Sequence, residues 1–274
     1  MDWKNIKTIF IFTFLILNLY LGTEFYNKVN PDVETLKAEK LKKSDIKYAG
    51  NKLPEIKKDL TLISGTSKTF TEKDAEAFIK KNSNQTVDME SDKKVLDVTL
   101  KDPFKVSTEN KAQLIKDLNY FINDYVPDSN QYKYWKQVGE RNLFLFIQQQ
   151  DGIPLYFDEY TSENNLSGLI EIITEVDENN QEVITGYRFS KMDLEKGEKV
   201  SKAIKAEDAL RVPDIPAGTT VEKIELVYFT FINNEGWKVF VPHWHIVTED
   251  DEWMVNVTDS SGNKVDPKAE SGGK

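Results

Sequence analysis

The chain has 274 residues, a formal net charge of -10, no cysteine and two histidines. The missing thiols exclude disulfides, thiolate nucleophiles and cysteine-based metal sites, and the acidic balance argues against nucleic acid as a partner. With 30% charged residues and a mean hydropathy of -0.53, the chain is no multi-pass membrane protein, and it is long enough for one large or two small domains with cores of their own.

The first segment reads MDWKNIKTIFIFTFLILNLYLGTEFY, with no charge between Thr8 and Thr23. Those residues reach about 24 Å as a helix, against about 30 Å for a hydrocarbon core. Lys7 at one end and Phe25 and Tyr26 at the other extend the reach to a full span. Bulky Phe25 and Tyr26 stand where a cleaved signal needs small residues. An uncleaved anchor in the lipid bilayer is therefore expected over 1–27. Lys4 and Lys7 place its N-terminus in the cytoplasm and the remainder outside the cell membrane. Ile11, Leu15, Asn18 and Gly22 share one face of this helix, where an amide and a glycine suit contact with another helix.

A Lys-rich spacer follows (28–50), then a first α+β ectodomain (51–200). A strand is predicted around Leu60–Ile63, and Thr71 to Asp74 opens a short helix in the manner of a capping box, with Ala75, Phe78 and Ile79 on its apolar face. VLDVTL (95–100) is a strand. The strongest helix is 109–125, where Leu114, Ile115, Leu118, Phe121, Ile122 and Tyr125 form one stripe that ends before Pro127. YKYWKQV and NLFLFIQQQ form a hairpin through Gly139 to Arg141. DGIP leads into LYFDEY, and LIEIITEV turns through DENNQE into VITGYRFSKMDL. In LIEIITEV, Ile170, Ile172, Thr174 and Val176 share a face.

The second ectodomain (201–266) repeats helix and strands. A short helix near 204–211 stops at Pro213. Three strands follow: VEKIELVYFTF, WKVFVPHWHIV and EWMVNV. Trp237, Val239 and Val241 share a face, as do Trp253, Val255 and Val257, and Pro242 suggests an edge strand or a bulge. The tail, 267–274, is expected to be disordered. The fold class is thus α+β: a transmembrane helix, then two domains, each an antiparallel sheet packed with helix.

The search for chemistry finds no constellation. His243 and His245 point the same way from one strand, but a metal site needs a third ligand. DENNQE lacks the glycine and the spacing of a calcium loop. Carboxylates at Asp88, Glu90 and Asp92, at Asp158 and Glu159, and from Glu249 to Glu252 sit in no distinctive frame and read as solvated faces. No catalytic residue, metal or cofactor is assigned, and the body reads as a binder and not an enzyme. Trp237, His243, Trp244 and His245 are the candidate ectodomain partner surface. A tethered wall enzyme and a module sensing a cell-wall fragment stay open as alternatives.

The start, with its M-D-W-x-x-x-K-T-I-F-I frame, resembles that of the YycI (WalI) family of low-GC Gram-positive bacteria. DIKYAGNKLP, LTLISGTSKTFT, KIELVYFTF, WKVFVPHWHI and MVNV follow in the same order. The resemblance covers nearly the whole chain and implies a non-catalytic regulator. Such a protein acts with YycH, a second single-pass protein, on the sensor histidine kinase YycG (WalK), whose two-component system governs cell-wall metabolism. It further implies contacts through both transmembrane helices and ectodomains.

Overall fold

The computed structural model describes residues 3–29, 46–107, 110–138, 143–156, 167–213, 215–216, 218–230 and 237–265; within the first helix, the side chains described are Lys7 and those of 10–23. Most of the Lys-rich spacer, the 139–141 turn, Asp158 and Glu159, and the 267–274 tail lie outside these residues.

The elements run α1 (Trp3–Val29), β1 (Lys47–Tyr48), β2 (Thr61–Ser67), α2 (Glu72–Lys81), β3 (Gln85–Met89), β4 (Leu96–Lys105) and α3 (Lys111–Tyr125). Then come β5 (Tyr132–Val138), β6 (Leu143–Gln150), β7 (Ile153–Tyr156), β8 (Leu169–Val176), β9 (Glu182–Phe189) and β10 (Met192–Lys199). The chain closes with α4 (Ala206–Ala209), β11 (Thr220–Phe229), β12 (Lys238–Thr248), β13 (Glu252–Asn256) and β14 (Gly262–Val265). The fold is mixed α+β, dominated by one large sheet.

Local chemistry accounts for the helix ends. Thr71 and Asp74 form a capping box: the Thr71 hydroxyl accepts from the Asp74 amide, and the Asp74 carboxylate accepts from the Thr71 amide. Asn110 caps α3 by accepting from the Gln113 amide at 2.8 Å. The expected stripe on α3 is buried at Leu118, Phe121, Ile122 and Tyr125.

The strands do not form two separate sheets. They make one 14-stranded hydrogen-bonded network whose main path is β10-β2-β12-β11-β7-β6-β8-β9-β4-β3. The short strand β7 makes the join. It turns back on β6 through Gln149↔Pro154 and Gln150↔Ile153, and it runs parallel to β11 at Leu155 and Tyr156. The sheet is therefore not purely antiparallel, since β1 also pairs with β11 in parallel. Parallel neighbours need a long crossover, so these pairings bring together segments far apart in sequence.

Two main cores flank the join. The first packs α2 and α3 on β4, β6, β8 and β9, with Phe78, Leu118, Phe121, Phe144, Phe146, Ile170, Ile172 and Tyr187 at its centre. The second packs α4 against β11, β12 and β13 and takes residues from both sides of position 200: Leu60, Ile63, Leu155 and Met192 as well as Trp244, Trp253, Val255 and Val257.

One local expectation changes, and two shared faces can be placed against the cores. Pro242 lies neither on an edge nor at a bulge. β12 pairs with β2 through Phe240 and with β13 from His243 onward. Proline stands where the strand changes neighbours and a ladder donor is least needed. The register shift after Ile173 puts its extra residue, Thr185, on β9, so β8 keeps its alternation: Ile170, Ile172 and Thr174 are buried, and Val176 at the strand end is 58% exposed. In β12 the core face is Phe240, Trp244 and Ile246, all fully buried, and the Trp237 phase is the opposite one.

Candidate functional site

α1 is the first candidate. It carries no charge between Thr8 and Thr23, and its large side chains from Phe10 to Leu21 are exposed. Water disfavours such a surface by about 25 cal/mol per Å² of apolar area. A shallow groove along it is lined by Phe10, Ile11, Phe14, Leu15, Asn18 and Leu19. Three of the four predicted contact residues, Ile11, Leu15 and Asn18, thus share one groove. At Gly22 a Cβ would meet nothing within 4 Å, so the helix surface there is open to close approach. Lys7 is exposed, and Lys4 lies outside the described side chains. Among the described residues no helix is long and apolar enough to cross a membrane.

The expected partner surface on β12 divides. Trp237 is 52% exposed, whereas His243, Trp244 and His245 are buried. Trp244 donates its indole N–H to the Ile204 carbonyl at 2.9 Å and fills the second core. His243 places Nδ1 at 2.8 Å from the Val241 carbonyl, which that nitrogen's N–H satisfies, and burial pushes its pKa down. These three side chains serve the interior and present no partner surface.

The two histidines do share a face, as alternation requires, but among the described residues no group of three or more ligating side chains could hold a metal ion. His245 instead meets carboxylates from both neighbouring strands. Its Nε2 lies 2.7 Å from Glu252 of β13, and its Nδ1 lies 3.7 Å from Glu225 of β11. The second distance is an ion-pair separation, too long for a hydrogen bond, and Nδ1 is buried without a hydrogen-bond partner. Burial lowers the basicity of His245, but Glu225 and Glu252 together outweigh it and raise its pKa.

Other polar residues were not singled out from sequence. Gln85 of β3 is buried; its amide N–H groups reach the carbonyls of Phe78 and Tyr125, and its oxygen accepts from the Tyr187 hydroxyl. Gln148 of β6 pairs with the backbone of Met192 through both donor and acceptor, at 2.9 and 2.8 Å, tying β6 to β10. Arg188 of β9 binds Glu90, Asp97 and the buried Glu171. Glu90, read as part of a solvated face, is a structural ligand of that guanidinium.

The DENNQE segment is a turn: Asp177 accepts from the amides of Asn179 and Gln181 at 2.8 Å, and Asn180 takes a left-handed conformation. These arrangements hold strands and helices together; none places a nucleophile beside a base.

Among solved structures, the chain is similar to the Bacillus megaterium YpeB C-terminal domain at 13% identity and a TM-score of 0.38, covering 71% of this chain and 95% of that one. It is also similar to an uncharacterized protein from Eubacterium rectale at 11% identity and a TM-score of 0.37, covering 75% and 81%. No curated protein matches the chain. The model of the YycI protein family matches residues 26–260, the greater part of the sequence. The chain therefore belongs to the YycI family.

Proposed function

We propose that this chain is a single-pass membrane regulator that works with a YycH-like protein to modulate the sensor histidine kinase YycG (WalK). Family membership supports a role in WalKR two-component regulation. The observation that carries the finer reading is α1: an apolar, exposed helix whose groove holds a polar amide at Asn18. Its backbone runs for 27 residues, about 40 Å at 1.5 Å per residue, which exceeds a hydrocarbon core of about 30 Å. In lipid the Asn18 amide favours a polar partner on another helix, and Gly22 permits the close approach that strengthens packing. A helix that packs better on one state of the kinase shifts its equilibrium by the difference in binding energy. A coupling of about 1–3 kcal/mol changes that ratio roughly 5–150-fold.

The test is the double substitution Asn18→Leu and Gly22→Leu, which keeps α1 apolar. Transcription of kinase-controlled genes should change about fivefold while membrane insertion is retained. Unchanged transcription with normal insertion would remove the contact role and leave α1 an anchor.

A further inference from the structure

The face of β11, β12 and β13 that carries His245 is opposite the second core, and β5 lies against it. Lys133 and Trp135 alternate with Tyr132 and Tyr134, which pack on the first core, so the two sides of β5 serve different partners. A register shift after Tyr134 brings Lys136 to the same side as Trp135. Lys133 Nζ lies 3.2 Å from Glu225. Trp135 meets Tyr156 edge-on with ring centroids 5.4 Å apart, and it packs on the cluster of Val227, Phe229 and Met254. The Lys136 ammonium sits 4.1 Å above the Trp135 ring.

Glu225, which binds β5 directly, and Glu252, which reaches it through Tyr156 of β7 and the charge of Lys136, both flank His245. Glu225 carries the Lys133 pair, and Glu252 accepts from the Tyr156 hydroxyl at 3.0 Å. Tyr156 in turn packs against His245 with its ring tilted, the centroids 4.5 Å apart. The charged groups facing the imidazole are therefore Glu225 and Lys223 on β11, Glu252 on β13, and Lys133 and Lys136 on β5. A doubly protonated ring offers one N–H to each carboxylate. A neutral ring has a single N–H, so one buried nitrogen lone pair must face a carboxylate oxygen. That contact is repulsive in a site that excludes water, and separating the carboxylates from the ring relieves it.

We propose that His245 is a proton-operated latch: its imidazolium draws Glu225 and Glu252 together and thereby docks β5 of the first half onto the outer face of the C-terminal strands. Raising the pH releases β5 and loosens one half against the other. The direction follows from linkage. A histidine whose pKa is raised in the folded chain stabilises fully below its ordinary value of 6.5, and that stability is lost as pH rises through the folded value. Lys136 works the other way. Burial holds its pKa down to about 8, against a smaller opposing pull from Glu252, so its loss of charge favours the docked state above that pH. The latch belongs to the folded body and does not depend on the role of α1.

The test is hydrogen exchange of the full chain in detergent between pH 5.5 and 7.5, below the Lys136 range. Protection of 132–138 is divided by that of 169–176, which cancels the intrinsic pH dependence of exchange. The ratio should fall at least about threefold with rising pH, and His245→Gln should abolish the fall. A smaller change, or the same fall in His245→Gln, overturns the latch. If His245→Gln does not fold, the chain's two histidines still give separable imidazole signals by magnetic resonance. Glu225→Gln should then move the His245 midpoint down and lower the pH 5.5 protection of 132–138; an unmoved midpoint contradicts the proposal.

Discussion

Gln85→Leu should destabilise the body far more than a surface glutamine would. The side chain is 1% exposed and donates to the Phe78 carbonyl at 2.6 Å, near the end of α2, and to the Tyr125 carbonyl at 3.1 Å, at the end of α3. It also accepts from the Tyr187 hydroxyl at 2.9 Å. Leucine fills nearly the same space, so little cavity is created. Phe78 keeps the bond from the Asn82 amide at 3.1 Å, so its oxygen is not orphaned. The Tyr125 carbonyl and the Tyr187 hydroxyl keep only each other, at 3.4 Å. Each weakly satisfied buried group costs about 1–3 kcal/mol, so a loss of about 2–4 kcal/mol is expected. Urea unfolding of residues 46–274, which contain both main cores, measures it. Tyr187→Phe removes one of the stranded groups, so the double substitution should recover about 1 kcal/mol relative to additivity. A loss below about 1 kcal/mol, or strict additivity, would refute the reasoning.

Arg188→Leu should cost about 3 kcal/mol or more, because it takes the guanidinium away from the buried Glu171 carboxylate; Asp97→Asn, at a half-exposed partner, should cost under about 1 kcal/mol by the same denaturation assay. Gly186→Ala should be poorly tolerated, since a Cβ there would lie 2.5 Å from the Val98 carbonyl oxygen. A drop of about 1–3 kcal/mol is expected, and a wild-type melting curve would contradict it. Thr71→Ala should cost about 1 kcal/mol through loss of the α2 cap. Although burial opposes it, the bonds from Lys68 and Thr71 hold the Asp74 carboxyl down to about 2. The contribution of Asp74 is therefore complete above its ordinary 3.8 and is lost as pH falls towards 2. An acid titration of Asp74→Asn should lack that component.

Much of the fold could be read from the sequence where periodicity governs it. The α3 stripe and the phase of Trp253, Val255 and Val257 follow from local spacing, and all of those β13-region residues are core. The parallel join through β7 was not readable, because its partners on β11 lie some seventy positions further along the chain. Buried polar residues were hidden for a different reason: their neighbours look solvated. Gln148 stands beside Gln149 and Gln150, yet it shares its strand phase with Phe144 and Phe146. That phase was the available signal. His245 was noticed as a surface or metal residue because its strand mates are visible in sequence, whereas Glu225 and Glu252 reach it only through the pairing of three strands. For α1, helical spacing puts Ile11, Leu15 and Asn18 along one groove, and their contact with another helix is a proposal.

The central claim is that α1 is a contact surface as well as an anchor. The most direct measurement is co-purification of the full-length chain with a YycH-like protein and the YycG/WalK kinase, repeated with 3–29 replaced by an unrelated membrane-spanning helix. The account predicts that the native chain recovers the kinase and that the replaced chain, inserted at the same level, recovers at least about fivefold less. Equal recovery by both chains would contradict it and assign the contact to the body alone.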